Sequence, residues 1–135
     1  MTLIPIADDP AFAAGIDPAT RRLDFALFGH WDLPTVTRFE TAIRATVARL
    51  PSLGIRPGDQ VALFDTTRFT VQSPDVLAAL GRIASDPRVT SRRIALVLAS
   101  ALLRMQAKRA MPHLAFFDSR DAALGWLAGN EPPPA

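Results

Sequence analysis

Between two carboxylates, Asp65 and Asp75, the stretch Asp65-Thr66-Thr67-Arg68-Phe69-Thr70-Val71-Gln72-Ser73-Pro74-Asp75 holds four hydroxyl residues. Such a set suits three kinds of chemistry: a phosphate acceptor, a polar loop facing a ligand, or the local turn and cap bonds that separate a strand from a helix. Ser73-Pro74-Asp75 has the pattern of a helix start, with a capping hydroxyl, a proline at the first helical position and an acid opposing the dipole. A phosphate on Ser73 would sit where free helical N–H groups favour negative charge, so capping and phosphorylation call for the same geometry.

Other chemistries lack their parts. His30 and Asp32 could be two metal ligands, but no third is apparent and Asp32 is needed as a helix cap, so no metal is expected. With no cysteine there is no disulfide, thiolate site or Cys nucleophile. The sequence has no Gly-x-Ser-x-Gly turn, no Walker loop and no Gly-x-Gly-x-x-Gly, which leaves an enzyme the least supported class and no cofactor expected.

The 135 residues suit a single domain, and with 49% apolar and 21% charged residues the composition is that of a soluble globule. No apolar run reaches the ~20 residues of a membrane span, and the N-terminus has no basic leader, so a cytoplasmic location is expected. A net charge of +2 is too small to imply nucleic acid. Between Arg82 and Arg109, however, Arg82, Arg88, Arg92, Arg93, Arg104, Lys108 and Arg109 face one acid, Asp86. That run reads as a solvated rim, or as a surface for an acidic protein or an anionic ligand.

Apolar spacing supplies the elements that must position these residues. Two strand-like runs flank Asp17-Pro18-Ala19-Thr20 and predict a hairpin. Val36, Phe39, Ile43, Val47 and Leu50 mark a helix over 33–50, and Val61 to Asp65 forms a short buried strand. Val76, Leu77, Leu80 and Ile83 mark a second helix ending before Pro87, followed by a strand over 94–99. A third helix over 101–111, a strand in His113-Leu114-Ala115-Phe116-Phe117-Asp118 and a helix from Ser119 to Gly129 complete the order. In the third helix, Leu102 and Met105 widen the apolar arc as core filler or as an adaptable partner or lipid-facing surface; Trp126 closes the core or anchors a homodimer.

The fold class is therefore α/β. An N-terminal β-hairpin is followed by alternating β/α units, giving a mixed, mostly parallel sheet of about five strands packed with about four helices. One domain is expected over residues 1–135, with its core at about 11–128 and a frayed tail at 129–135. Ligands of such sheets bind beyond the carboxyl ends of the strands, where His30, Trp31, Asp65, Thr66, Thr67, Ser73, Asp75, Ser100 and Asp118 would gather. Each of these also has a plain role as a turn former or cap.

Several strings resemble the STAS superfamily, the small domains of anti-sigma-factor antagonists and sulfate-transporter tails. Gly29-His30-Trp31-Asp32 is similar to the family's Gly-x-x-Asp before the first helix. "LFDTTRFTVQSPDVLAAL" has the rhythm of its Asp-ended strand, short loop and helix, and "FFDSRDAALGWL" resembles its last strand and helix. The flavour is that of the bacterial SpoIIAA-like subgroup, which shares its topology with CRAL-TRIO domains. Aligned without gaps, the family's Asp-Ser-Ser-Gly becomes Ser73-Pro74-Asp75-Val76, so Pro74 holds the phosphorylated serine's place and a one-residue slip brings Ser73 there. The resemblance implies a non-enzymatic bacterial regulatory domain with a regulatory protein partner, such as an anti-sigma-type kinase. The alternative it implies is a small-molecule or lipid-binding module.

Overall fold

The computed structural model describes residues 3–130 and Pro132. Of the tail expected at 129–135, residues 131 and 133–135 lie outside the described residues. The strands are β1 (Ile4–Asp9), β2 (Phe12–Asp17), β3 (Arg22–Gly29), β4 (Val61–Phe69), β5 (Arg93–Val97) and β6 (Ala115–Phe117). The helices are α1 (Leu33–Arg49), α2 (Pro74–Ala84), α3 (Ala101–Ala110) and α4 (Arg120–Ala128), with a short 3-10 turn at Pro51–Leu53. The strands lie side by side in chain order, β1 to β6. The first two pairings are antiparallel and the last three parallel, as a β-meander leading into β/α units requires.

The sheet thus has six strands where about five were expected, and it begins before residue 11. β1 carries Pro5 and a register shift between Pro5 and Ala7, both tolerated because it is an edge strand with one side unpaired. β4 is also longer than expected: it passes Asp65 and runs to Phe69.

Alternation along the strands divides the core in two. Phe12, Ile16, Leu23, Phe25, Leu27, Ala62 and Leu96 face α1, α2 and α3. Val61, Leu63, Ala95 and Val97 point the other way, onto Ala123 and Leu127 of α4. The two middle parallel strands are therefore covered on both faces, which is why their sequences read as continuous apolar runs. The α1 side holds an aromatic cluster in which Phe25 stacks on Phe64 at 4.8 Å and Phe39 meets Phe12, Phe25 and Trp31 edge-on. On the opposite side Leu127 closes the smaller core, while Trp126 lies half-buried between Phe117 and the guanidinium of Arg93, 4.4 Å from its ring.

Four side-chain caps set the helix starts, that of α2 being Ser73. Asp32 accepts from Thr35 N at 2.9 Å, Ser100 from Leu103 N at 3.1 Å and Ser119 from Ala122 N at 3.1 Å. α2 and α3 approach closely at Gly81, where an added Cβ would lie 3.0 Å from the carbonyl oxygen of Ala110.

Candidate functional site

The carboxyl ends of β3 and β4 meet the starts of α1 and α2, and a kink in the sheet shapes that edge. Ala26 pairs with Asp65 and Phe28 with Arg68, so β4 has one residue more than β3 across this interval. The extra residue makes a bulge at Thr66-Thr67, and bulges re-aim side chains. Asp65 closes it: one carboxylate oxygen accepts from Thr67 N at 3.0 Å and from its hydroxyl at 2.6 Å. Thr66 turns inward and its hydroxyl donates to Val97 O at 2.7 Å.

Beyond β4 the chain is fixed by Gln72, which is 3% exposed. Its Oε1 accepts from Trp31 N at 2.8 Å, and its Nε2 donates to Gly29 O at 2.9 Å and Thr70 O at 2.6 Å. Gly29, at φ +77°, adopts the left-handed backbone that presents its carbonyl to this loop, and that carbonyl also receives Thr70 N at 3.1 Å. The backbone of Gln72 is bonded to the side chain of Gln106 on α3, so one residue ties the starts of α1 and α2 to α3.

The expected site residues divide into three groups. Trp31 does not belong to a contact surface: it is 3% exposed, its indole N–H donates to Phe28 O at 3.0 Å, and Phe12, Phe39 and Phe69 pack against its ring. Thr66 is likewise buried, so it faces the interior rather than a partner. His30, Thr67 and Asp75 are exposed and Asp65 and Ser73 half-buried along one edge, with His30 Nδ1 3.1 Å from Val71 O. Ser100 and Asp118 stand at the ends of β5 and β6, Ser100 as a cap and Asp118 paired to Arg104 at 2.8 Å.

Ser73 caps α2 as expected, accepting from Val76 N at 3.4 Å, with Pro74 and Asp75 exposed beside it. At the start of α1 the Thr35 hydroxyl and amide hold the Asp32 carboxyl below its ordinary value. Among the described residues no hydrogen bond links Asp65 and Thr67 to Ser73 or Ser100, so these groups form separate local pairs rather than a proton relay. No group of three His, Cys, Asp or Glu residues able to hold a metal occurs among the described residues. No helix among them is long and apolar enough to cross a membrane.

Gln72 escaped the sequence reading, because a lone polar residue outside any apolar period carries no signal of burial. A second unforeseen feature is an apolar cavity of about 80 Å³ between the sheet and α1 to α3, bordered by Phe25, Phe39, Phe64, Leu77, Leu96 and Met111.

No protein-family model and no curated protein sequence matches the chain. Solved structures do. An uncharacterised protein with a SpoIIAA-like fold from Shewanella loihica superposes with a TM-score of 0.64 at 20% identity, over 90% of this chain and 97% of the other. An anti-sigma factor antagonist from Mycobacterium paratuberculosis superposes with a TM-score of 0.59 at 16% identity, over 91% of this chain and 100% of the other. The fold is therefore SpoIIAA-like, the STAS-type architecture that the strings around Gly29 and Asp65 suggested.

Proposed function

We propose that this chain is a non-enzymatic regulatory interaction domain that docks a protein partner through the exposed edge formed by His30, Thr67, Ser73 and Asp75. One observation carries the reading: in a SpoIIAA-like fold, the start of α2 is exposed at Pro74 and Asp75, and Gln72 fixes the segment before it. A surface held in one conformation before binding loses less entropy on docking. The anti-sigma factor antagonist of like fold supports a regulatory partner, and a kinase of the anti-sigma type acting on Ser73 in the cytoplasm is the finer form of the proposal. A phosphate there would exchange the Ser73 cap for charge-assisted bonds at the N-terminus of α2.

Native mass spectrometry of the protein isolated from its own host, followed by the same sample denatured, tests this. A phosphate that survives denaturation and maps to Ser73 supports the kinase form. Unmodified protein whose partner binding is identical in Ser73→Asp and Ser73→Ala variants overturns it. The native spectrum also reports whether two copies associate, as an open sheet edge at β1 would permit.

The apolar cavity favours a second reading, a small-molecule binding module. At about 80 Å³ it is smaller than the ~150 Å³ apolar cavity that accepts benzene, so a lipid chain would require α2 and α3 to move outward. A mass that leaves on denaturation is the outcome expected of that reading.

A further inference from the structure

The outer face of α3 combines two features that the rest of the fold does not explain. Leu102 and Met105 are 56% and 60% exposed, the largest values among the exposed large apolar residues. They lie one turn apart, and Lys108 and Arg109 follow Met105 by three and four residues, so helical geometry sets all four on one face. The buried side of the same helix is carried by Leu103 and Ala107, which means that the outer pair adds nothing to the core.

Charge identifies what would cover it. α3 contains no acid, and its cations Lys108 and Arg109 have no ion-pair partner among the described residues; Arg104 alone on this helix is paired, to Asp118. The helix dipole accounts for cations in the last turn but not for exposed Leu102 and Met105. The α3 of a second copy has no acid to offer Lys108 and Arg109, so self-pairing of this helix face would leave the cations without counter-charge.

We infer that the outer face of α3 docks an acidic amphipathic segment of a protein partner. Leu102 and Met105 insert between its apolar residues, and its carboxylates meet Lys108 and Arg109. Met suits the role because its unbranched side chain adapts to the shape opposite. The inference does not depend on the role proposed for Ser73 and Asp75.

Fluorescence anisotropy on the full chain tests the inference with a labelled amphipathic helical peptide bearing Leu on one face and Glu on the other, and with its Gln-for-Glu counterpart. The expected result is a preference of about tenfold or more for the Glu peptide, weakened by salt and removed by Lys108→Glu with Arg109→Glu. Leu102→Ser with Met105→Ser weakens both peptides; all four positions are on the outer face, and circular dichroism confirms that each variant is folded. Equal binding of the two peptides overturns the inference, as does a preference that survives the charge reversal. Vesicles of phosphatidylcholine and phosphatidylserine form the third arm, and binding confined to them makes a membrane surface the occupant and overturns the protein-partner inference.

Discussion

Gln72 and Gln106 exchange a reciprocal pair of hydrogen bonds, the amide N–H of Gln72 donating to Gln106 Oε1 at 3.1 Å and Gln106 Nε2 donating back to Gln72 O at 3.0 Å. The side chain of Gln72 meanwhile holds Trp31 N and Gly29 O, so the two glutamines couple the β3–α1 turn, the approach to α2 and the body of α3. These contacts span about forty residues of sequence on one side and about thirty on the other, which local propensity does not encode.

Replacing Gln72 by Ala leaves the buried amide of Trp31 without a partner, and a buried unsatisfied donor costs about 1 to 3 kcal/mol. Gln106→Ala frees groups nearer to water and is expected to cost about 1 kcal/mol. Urea unfolding of both variants measures the difference. A Gln72→Ala protein as stable as the parent would show that the loop is held by something else.

Trp31→Ala separates a core role from a contact role. Truncating a large buried aromatic costs about 3 to 5 kcal/mol, whereas an exposed tryptophan serving only a partner would change stability by less than about 0.5 kcal/mol. With Phe12, Phe39 and Phe69 packed against the ring, the large value is expected, and thermal unfolding will read it.

Trp31 also shows where sequence stops informing. Its position between a strand and a helix was legible, but the direction of its side chain depends on the path of the chain through Gly29. The regular elements were legible because their apolar periods are clean: Val76, Leu80 and Ile83 on α2, and the doubly covered run of β4. β1 was not, because Pro5, Asp8, Asp9 and Pro10 have turn-forming chemistry and only pairing with β2 makes the segment a strand. Thr66 and Thr67 read as loop hydroxyls although both are β-branched, and the bulge that gives them opposite directions exists only against β3. Asp32, Ser73 and Ser119 were legible as caps, since a cap bond spans three residues and is written locally.

Gly81→Ala sets two effects of opposite sign against each other. Ala gains about 1 kcal/mol of helix propensity over Gly. At Gly81 the new Cβ would lie 3.0 Å from Ala110 O, a backbone atom that cannot move without displacing the end of α3. The expected net result is destabilisation by about 1 kcal/mol with a changed environment for Met111, read by urea unfolding and by the Met111 methyl resonance. A more stable Gly81→Ala protein would mean that α2 and α3 separate easily.

Acid stability should depend on Asp86. Its carboxylate accepts from the side chain and backbone N–H of Arg88 and from Arg44, which holds its folded pKa well below the ordinary value of 3.8. Asp32 and Asp9 are shifted the same way, by Thr35 and Arg38 respectively. The unfolded chain binds more protons than the folded one in the window below 3.8, so the stability these carboxylates contribute is complete above that value and is lost as pH falls through the folded pKa. Asp86→Asn removes one such group. The stability gap between parent and variant is therefore expected to be widest near pH 6 and to narrow progressively as pH falls below 3.8, as measured by urea midpoints from about pH 6 to about pH 2. A gap independent of pH would assign the effect of Asp86 to its uncharged contacts, with Arg44 and Arg88 making no ionic contribution to the junction of α1 with the end of α2.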